Sequence, residues 1–171
     1  RRGRLTRVKP LLIVRHAKSD WGHADLADHD RPLNDRGRRD APHMGRRLAE
    51  RGTVPDVIRS STALRARTTA AALADAFAEA LGVEASVELD ETMYATSVAH
   101  LLEIIAALDD AARTVMLVGH NPESSALVRR LTGAEVELPT CAVAEVHLPV
   151  TRWADASGAA GELVRVDTPK D

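Results

Sequence analysis

The chain has 171 residues, 44 % apolar and 28 % charged, which suits a single globular domain and excludes a disordered chain. No apolar run approaches the roughly 20 residues of a membrane span, and an aromatic content of 2 % argues against an RNA surface of stacked rings. The net charge of −2 hides a split, because residues 1–67 carry +9 and residues 68–171 carry −11. Of the 23 basic groups, 20 are arginine, whose planar fork suits phosphate oxygens. Such a split is read either as an anion-binding half or, more plainly, as solvated helix faces with a basic tail.

In chain order, residues 1–9 read as a basic tail and residues 10–171 as one domain. Leu11 to Val14 is a continuous apolar run, the pattern of a strand buried on both faces. Lys18 to Arg31 is rich in Asp, His and Gly and reads as a loop. Asn34 caps a helix reaching about Arg51, stopped by Gly52, with Pro42 expected to kink it or mark its effective start. Pro55 to Arg59 is a second strand. Ser60, Ser61 and Thr62 offer caps for a long Ala-rich helix that ends at Gly82. Val83 to Leu89 alternates as a strand should. Thr96 or Ser97 caps a helix carrying Leu101, Ile105 and Leu108. Thr114 to Val118 is another apolar strand. Asn121 caps a helix with Pro122 at its first position, closed by Gly133. Ala142 to Leu148 and Glu162 to Val166 are late strands with a turn at Ser157 to Gly161.

Strands alternating with helices predict an α/β fold, a three-layer αβα sandwich with a mostly parallel central sheet. The last two strands lack a helix between them, so one edge of the sheet should be antiparallel. The single Cys141 allows no internal disulfide and reads as a small core residue. Arg1 to Pro10 is basic, but the apolar run after it is too short for a signal-peptide core, so a cytoplasmic location is expected.

In open α/β sheets, ligands bind beyond the carboxyl ends of the strands. Arg15 and His16 follow the first strand. Ser60 and Ser61 follow the second, with Arg65 a turn later. Gly119, His120 and Asn121 follow the fourth. Two arginines and two histidines should therefore gather at one rim. The arginines can hold phosphate oxygens, a neutral His16 can attack phosphorus, and a protonated His120 can donate to an oxygen. The helix opened by Asn121 and Pro122 also favours anions at its amino end.

The segment "LLIVRHAKS" (Leu11 to Ser19) resembles the signature of the histidine phosphatase superfamily, with Ala17 in place of the usual glycine. The likeness continues through "DRPLNDRGRRDAPHMG" (Asp30 to Gly45), "PDVIRSSTALRARTTAAAL" (Pro55 to Leu73) and "LVGHNP" (Leu117 to Pro122). Within that superfamily the chain is most similar to the small phosphohistidine phosphatases, and the resemblance implies a phosphoglycerate mutase-like fold. It also implies roles. His16 matches the nucleophile that becomes phosphorylated, Arg15 and Arg65 match the phosphate arginines, and His120 matches the second histidine on the phosphoryl oxygens. Ser19 reads either as shaping the phosphate loop or as a simple cap or turn residue, and Asn121 joins the phosphate-binding set. No cofactor or metal is called for, since arginine and histidinium supply the charge.

Superfamily members acting on esters use an acidic residue to protonate the leaving oxygen. "LDETMY" (Leu89 to Tyr94) makes Glu91 the candidate, with Asp90 and Asp20 as rivals. His23, Asp25, Asp28, His29 and Asp30 match no trusted metal-ligand spacing and read as a polar loop at the cleft mouth. Trp21 is a cleft wall or simple packing. Arg36, Arg38, Arg39, Arg46 and Arg47 read as a solvated helix face. The short chain leaves little room for a lid domain, so the pocket should be open. The expected function is a metal-independent phosphatase acting through phospho-His16 on protein phosphohistidine. The alternatives are a small phosphate ester as substrate, or a phosphate-binding module without catalysis. The expected partner is a phosphorylated protein or small molecule, with neither nucleic acid nor membrane.

Overall fold

The computed structural model describes residues 7–170. Its six strands are β1 (Lys9–Arg15), β2 (Val57–Ser61), β3 (Ser86–Asp90), β4 (Val115–Gly119), β5 (Val143–Leu148) and β6 (Glu162–Asp167). They form one sheet in the order β3-β2-β4-β1-β5-β6. β1 to β4 pair in parallel, whereas β5 is antiparallel to β1 and β6 antiparallel to β5. This is the expected α/β sandwich with an antiparallel edge. The first strand opens earlier than expected, at Lys9, whose ammonium donates to the carbonyls of Asp110 and Ala112 at 3.0 and 3.2 Å. Of the expected basic tail, residues 1–6 lie outside the described residues.

The apolar runs are continuous because successive side chains enter opposite layers. Leu11 and Ile13 of β1 join Val115 and Leu117 of β4 in one core, while Leu12 and Val14 join Met116 and Val118 in the other. The helices are α1 (Asp35–Arg51), α2 (Leu64–Leu81), α3 (Val98–Ala106) and α4 (Glu123–Thr132). α1 and α2 cover the second core, and α3 and α4 cover the first. Alanine lets the α1–α2 layer pack close. A β-carbon on Gly45 would stand 2.5 Å from that of Ala76.

Helix ends follow the chemistry of their caps in part. Asn34 accepts from the Gly37 amide and Ser97 from the His100 amide, as N-caps do, and Gly52, Gly82 and Gly133 close their helices in the left-handed conformation. Three expectations are corrected. Ser60 and Ser61 belong to β2, and α2 starts behind Ala63 without a side-chain cap. Pro122 is the N-cap of α4 rather than its first residue, while Asn121 Oδ1 accepts from the amide and the hydroxyl of Ser125 at 3.2 and 3.0 Å. α1 starts at Asp35 and runs through Pro42, which therefore does not mark its effective start. The expected turn before β6 is instead a 3-10 helix at Trp153–Gly158, which seals Trp153 in the first core with its indole N–H on the Ala112 carbonyl at 2.9 Å.

Candidate active site

Parallel pairing brings the carboxyl ends of β1, β2 and β4 to one rim. Arg15 ends β1 beside Gly119 of β4, and the His16 amide donates onward to the Gly119 carbonyl at 2.9 Å. The loop after β1 is held by backbone contacts. The Ala17 amide donates to Thr69 Oγ1 at 3.0 Å, and Thr69 in turn donates to the Arg65 carbonyl at 2.7 Å. Gly37 of α1 allows the loop to touch the helix, since a β-carbon there would lie 2.2 Å from the Lys18 carbonyl oxygen.

At this rim lies a cavity of about 410 Å³ lined by Arg15, His16, Ser19, Arg65, His120 and Asn121, among others. All four residues expected at the centre are therefore brought together. The rings of His16 and His120 are 5.2 Å apart. His16 Nδ1 lies 2.7 Å from the Ala17 carbonyl oxygen. A carbonyl only accepts, so Nδ1 carries the proton and Nε2 keeps its lone pair. Burial drives the His16 pKa down to about 3, assisted by the charges of Arg65 and Arg15. The ring is therefore neutral and of fixed tautomer, and its Nε2 lone pair is of the kind that can attack an electrophile.

His120 Nε2 lies 2.8 Å from Ser61 Oγ. Burial first, and Arg65 next, push its pKa down to about 4. The protonated His120 expected from the sequence is thus a neutral ring here at neutral pH. Burial lowers the Arg15 pKa as well. Arg15 Nε, Arg65 Nε and His120 Nδ1 are buried polar atoms without a hydrogen-bond partner. Buried polar groups in native proteins are seldom unpaired, so three such atoms on residues that line one cavity leave hydrogen-bonding capacity there unused. Arg15, Lys18, Arg31 and Arg65 face the carboxylates of Asp28 and Glu123, a formal excess of two positive charges.

Ser19 Oγ accepts from Arg31 at 2.9 Å, which fits a loop-shaping role. Asn121 reaches the cavity wall, but its amide donates to the Leu138 carbonyl at 3.0 Å while its oxygen takes Ser125. The same Leu138 carbonyl accepts from Arg15 at 2.9 Å. Asn121 therefore positions Arg15 through a shared acceptor. Glu91 opens a short 3-10 helix, is exposed and lies outside the lining of the cavity. Its rivals are outside too: Asp90 caps that helix, and Asp20 bonds the Gly22 amide.

Sequence reasoning missed Asp28 as the acidic centre of the site. Asp28 Oδ2 takes the Tyr94 hydroxyl at 2.6 Å and Arg65 Nη2 at 3.0 Å, and Oδ1 takes Arg31 Nε at 3.1 Å. The Tyr94 hydrogen bond, with those from Arg65 and Arg31, holds the Asp28 pKa well below the usual carboxylate range. Asp28 is thus a fixed anion that orients Arg65, and at neutral pH it has no proton to give. The expected cleft-mouth loop does carry it, but its spacing resembled only a polar surface. Tyr94, Arg31 and Thr140 were missed for a similar reason, since each reaches the cavity from a different loop. Trp21 is a wall of the cavity, 72 % exposed, with the Arg31 guanidinium 3.7 Å from its ring centre. The arginine face of α1 is solvated as expected at Arg36, Arg38, Arg39 and Arg46, with Arg47 half-buried, although Arg36 also donates to Thr140 at 3.0 Å, Arg38 to the Leu33 carbonyl and Arg47 to the Thr168 carbonyl at 2.6 Å. Cys141 is buried just before β5, with a left-handed φ of 63° and its amide on the carbonyls of Arg15 and His16.

Fold and cavity together set two histidines and four basic side chains at one rim of an α/β domain. The chain belongs to the histidine phosphatase superfamily (branch 1), whose sequence model matches residues 11–97. It is 31 % identical over 168 residues to an uncharacterized protein of Mycobacterium tuberculosis, covering 92 % of this chain and all of that one. Among solved structures it is similar to proteins assigned as phosphohistidine phosphatase SixA. That of Nakamurella multipartitia is 31 % identical with a TM-score of 0.79, covering 95 % of this chain and 96 % of the other. That of Agrobacterium tumefaciens is 28 % identical with a TM-score of 0.78, covering 94 % and 98 %.

Proposed function

We propose that the protein is a metal-independent phosphatase that removes the phosphoryl group from phosphohistidine on a protein, through a phosphorylated His16. The observation that carries this is the neutral His16 of fixed tautomer, set in a cavity with two positive charges in excess. In the first step Nε2 attacks phosphorus and the P–N bond of the substrate breaks, its electron pair returning to the leaving ring nitrogen. A phosphoimidazole bearing a proton on its other nitrogen leaves as neutral imidazole, so the enzyme need not donate a proton. In the second step water attacks phosphorus, His16 Nε2 is freed, and the water proton passes to solvent. Arg15, Arg65 and His120 hold the three equatorial oxygens as charge spreads over them.

Two observations support a P–N bond over an ester. Asp28 is held as an anion, and the SixA-type proteins with similar structures are named for phosphohistidine. The ester reading rests on Glu123, which lines the cavity from the first turn of α4 and is the carboxyl placed to serve an alkoxide. Labelled phosphoryl donor, denatured rapidly at alkaline pH where phosphohistidine survives, should leave label on His16, and His16→Ala should abolish label and turnover. Full turnover by His16→Ala overturns the proposal. A large loss for Glu123→Gln on phosphate esters, with those esters preferred by the native protein, moves the assignment to the ester reading.

A further inference from the structure

The chain has four aromatic side chains of the Phe, Trp and Tyr type, which makes their placement informative. Phe77 and Trp153 fill the two cores and are fully buried. The other two, Trp21 and Tyr94, both line the cavity that holds His16. Tyr94 is accounted for by its bond to Asp28 and its edge contacts with His29 and His120 at 4.8 and 5.7 Å. Trp21 serves no such link. One of its faces is covered by the guanidinium of Arg31, which is itself buried and anchored on Ser19 and Asp28. Arg31 thus holds the indole plane from behind. With the residue 72 % exposed, the opposite face stays open.

We infer that the open face of Trp21 is a platform on which the departing ring of the substrate stacks. The inference rests on His16 being the nucleophile. An in-line displacement puts the leaving group on the side of phosphorus away from His16, toward the mouth, and Trp21 is the exposed aromatic ring of the cavity wall. A flat ring bonded directly to phosphorus gains an offset-stacked contact there. A leaving group without a ring gains nothing. Trp21 is therefore a specificity residue, selecting phosphoryl groups carried on a planar nitrogen heterocycle.

The test compares phosphoimidazole with phosphoramidate, two P–N donors that differ in the ring. In Trp21→Leu the ratio of their kcat/KM values should fall about three- to tenfold, the span of an aromatic contact, while Trp21→Phe should keep most of it. Any effect passed through Arg31 and Asp28 acts on both donors and cancels in the ratio. An unchanged ratio in Trp21→Leu overturns the inference. A second readout uses non-hydrolysing His16→Ala protein. Phosphoimidazole should quench the emission that Trp21→Phe removes, and inorganic phosphate should not. If the native protein cleaves neither donor, the phosphatase reading falls, and the emission alone decides the stacking. If turnover proceeds but ratio and emission both stay put, the stacking falls and the phosphatase reading stands.

Discussion

Gly37→Ala sets two effects of known size against each other. Gly37 is the third residue of α1, and helix propensity alone makes alanine better by about 1 kcal/mol. The added β-carbon, however, would stand 2.2 Å from the Lys18 carbonyl oxygen, 3.0 Å from its nitrogen and 3.1 Å from its carbonyl carbon. These are backbone atoms with no rotamer to escape into. To restore even 3.0 Å, the loop or the first turn of α1 must retreat by about 0.8 Å. Overpacking of this kind costs about 1–3 kcal/mol, and a backbone clash belongs at the upper end. The net is a loss of about 2 kcal/mol, or roughly 4–8 °C in Tm for a chain of this size. Because Lys18 lines the cavity, kcat should fall further than stability does. A misplacement near 1 Å costs on the order of 100-fold. Gly158→Ala, with nothing within 4 Å of the new atom, is the matched control. Thermal melting and steady-state turnover of both variants decide the matter. A Gly37→Ala protein that melts at or above the native temperature, with kcat within about twofold, refutes the claim that this contact fixes the loop.

Other consequences are equally direct. Thr69→Val keeps the shape but strands the buried Ala17 amide, so urea titration should show a loss of about 1–3 kcal/mol. Tyr94 is the only tyrosine, and its hydrogen bond to Asp28 raises its phenol pKa, favouring the neutral donor; in Asp28→Asn the phenolate absorbance should appear at lower pH than in the native protein. His16 has a folded pKa of about 3 against about 6.5 unfolded, so the unfolded chain takes up the proton first as pH falls. Its contribution is present above pH 6.5 or so and is lost on the way down toward 3, at up to about 1.4 kcal/mol per pH unit. His16→Asn should therefore flatten the plot of urea-derived stability against pH in that window, and an unaltered slope would contradict a neutral buried His16.

Much of the fold and the centre of the site was legible because both depend on local pattern. Apolar runs such as Leu11 to Val14 mark doubly buried strands, and the residues just beyond their carboxyl ends lie at the ligand rim. That placed Arg15, His16, Arg65 and His120 at one cavity. The position of Glu91, outside the cavity lining, was not legible. Glu91 comes directly after β3, an edge strand with Leu89 half exposed, and opens a 3-10 helix after which Tyr94 and Ala95, rather than Glu91, line the cavity. Asp28 matters because three partners from distant segments converge on it, and no spacing within one loop encodes that. The Trp153 turn was missed because so short a helix has no periodicity to read. The start of α2 was misplaced because Ser61 spends its hydroxyl on the Ala63 amide, two residues on and just before the helix, at 3.2 Å.

The acceptor that fixes His16 is the carbonyl of the next residue. Many catalytic histidines are oriented by a carboxylate, which can be titrated or mutated away. A main-chain oxygen can be neither. The orientation of His16 is therefore written in no side chain that touches Nδ1, and a substitution reaches it through the backbone of the loop, which Thr69 Oγ1 holds at the Ala17 amide. Only a change in the path of the backbone at Ala17 reaches it.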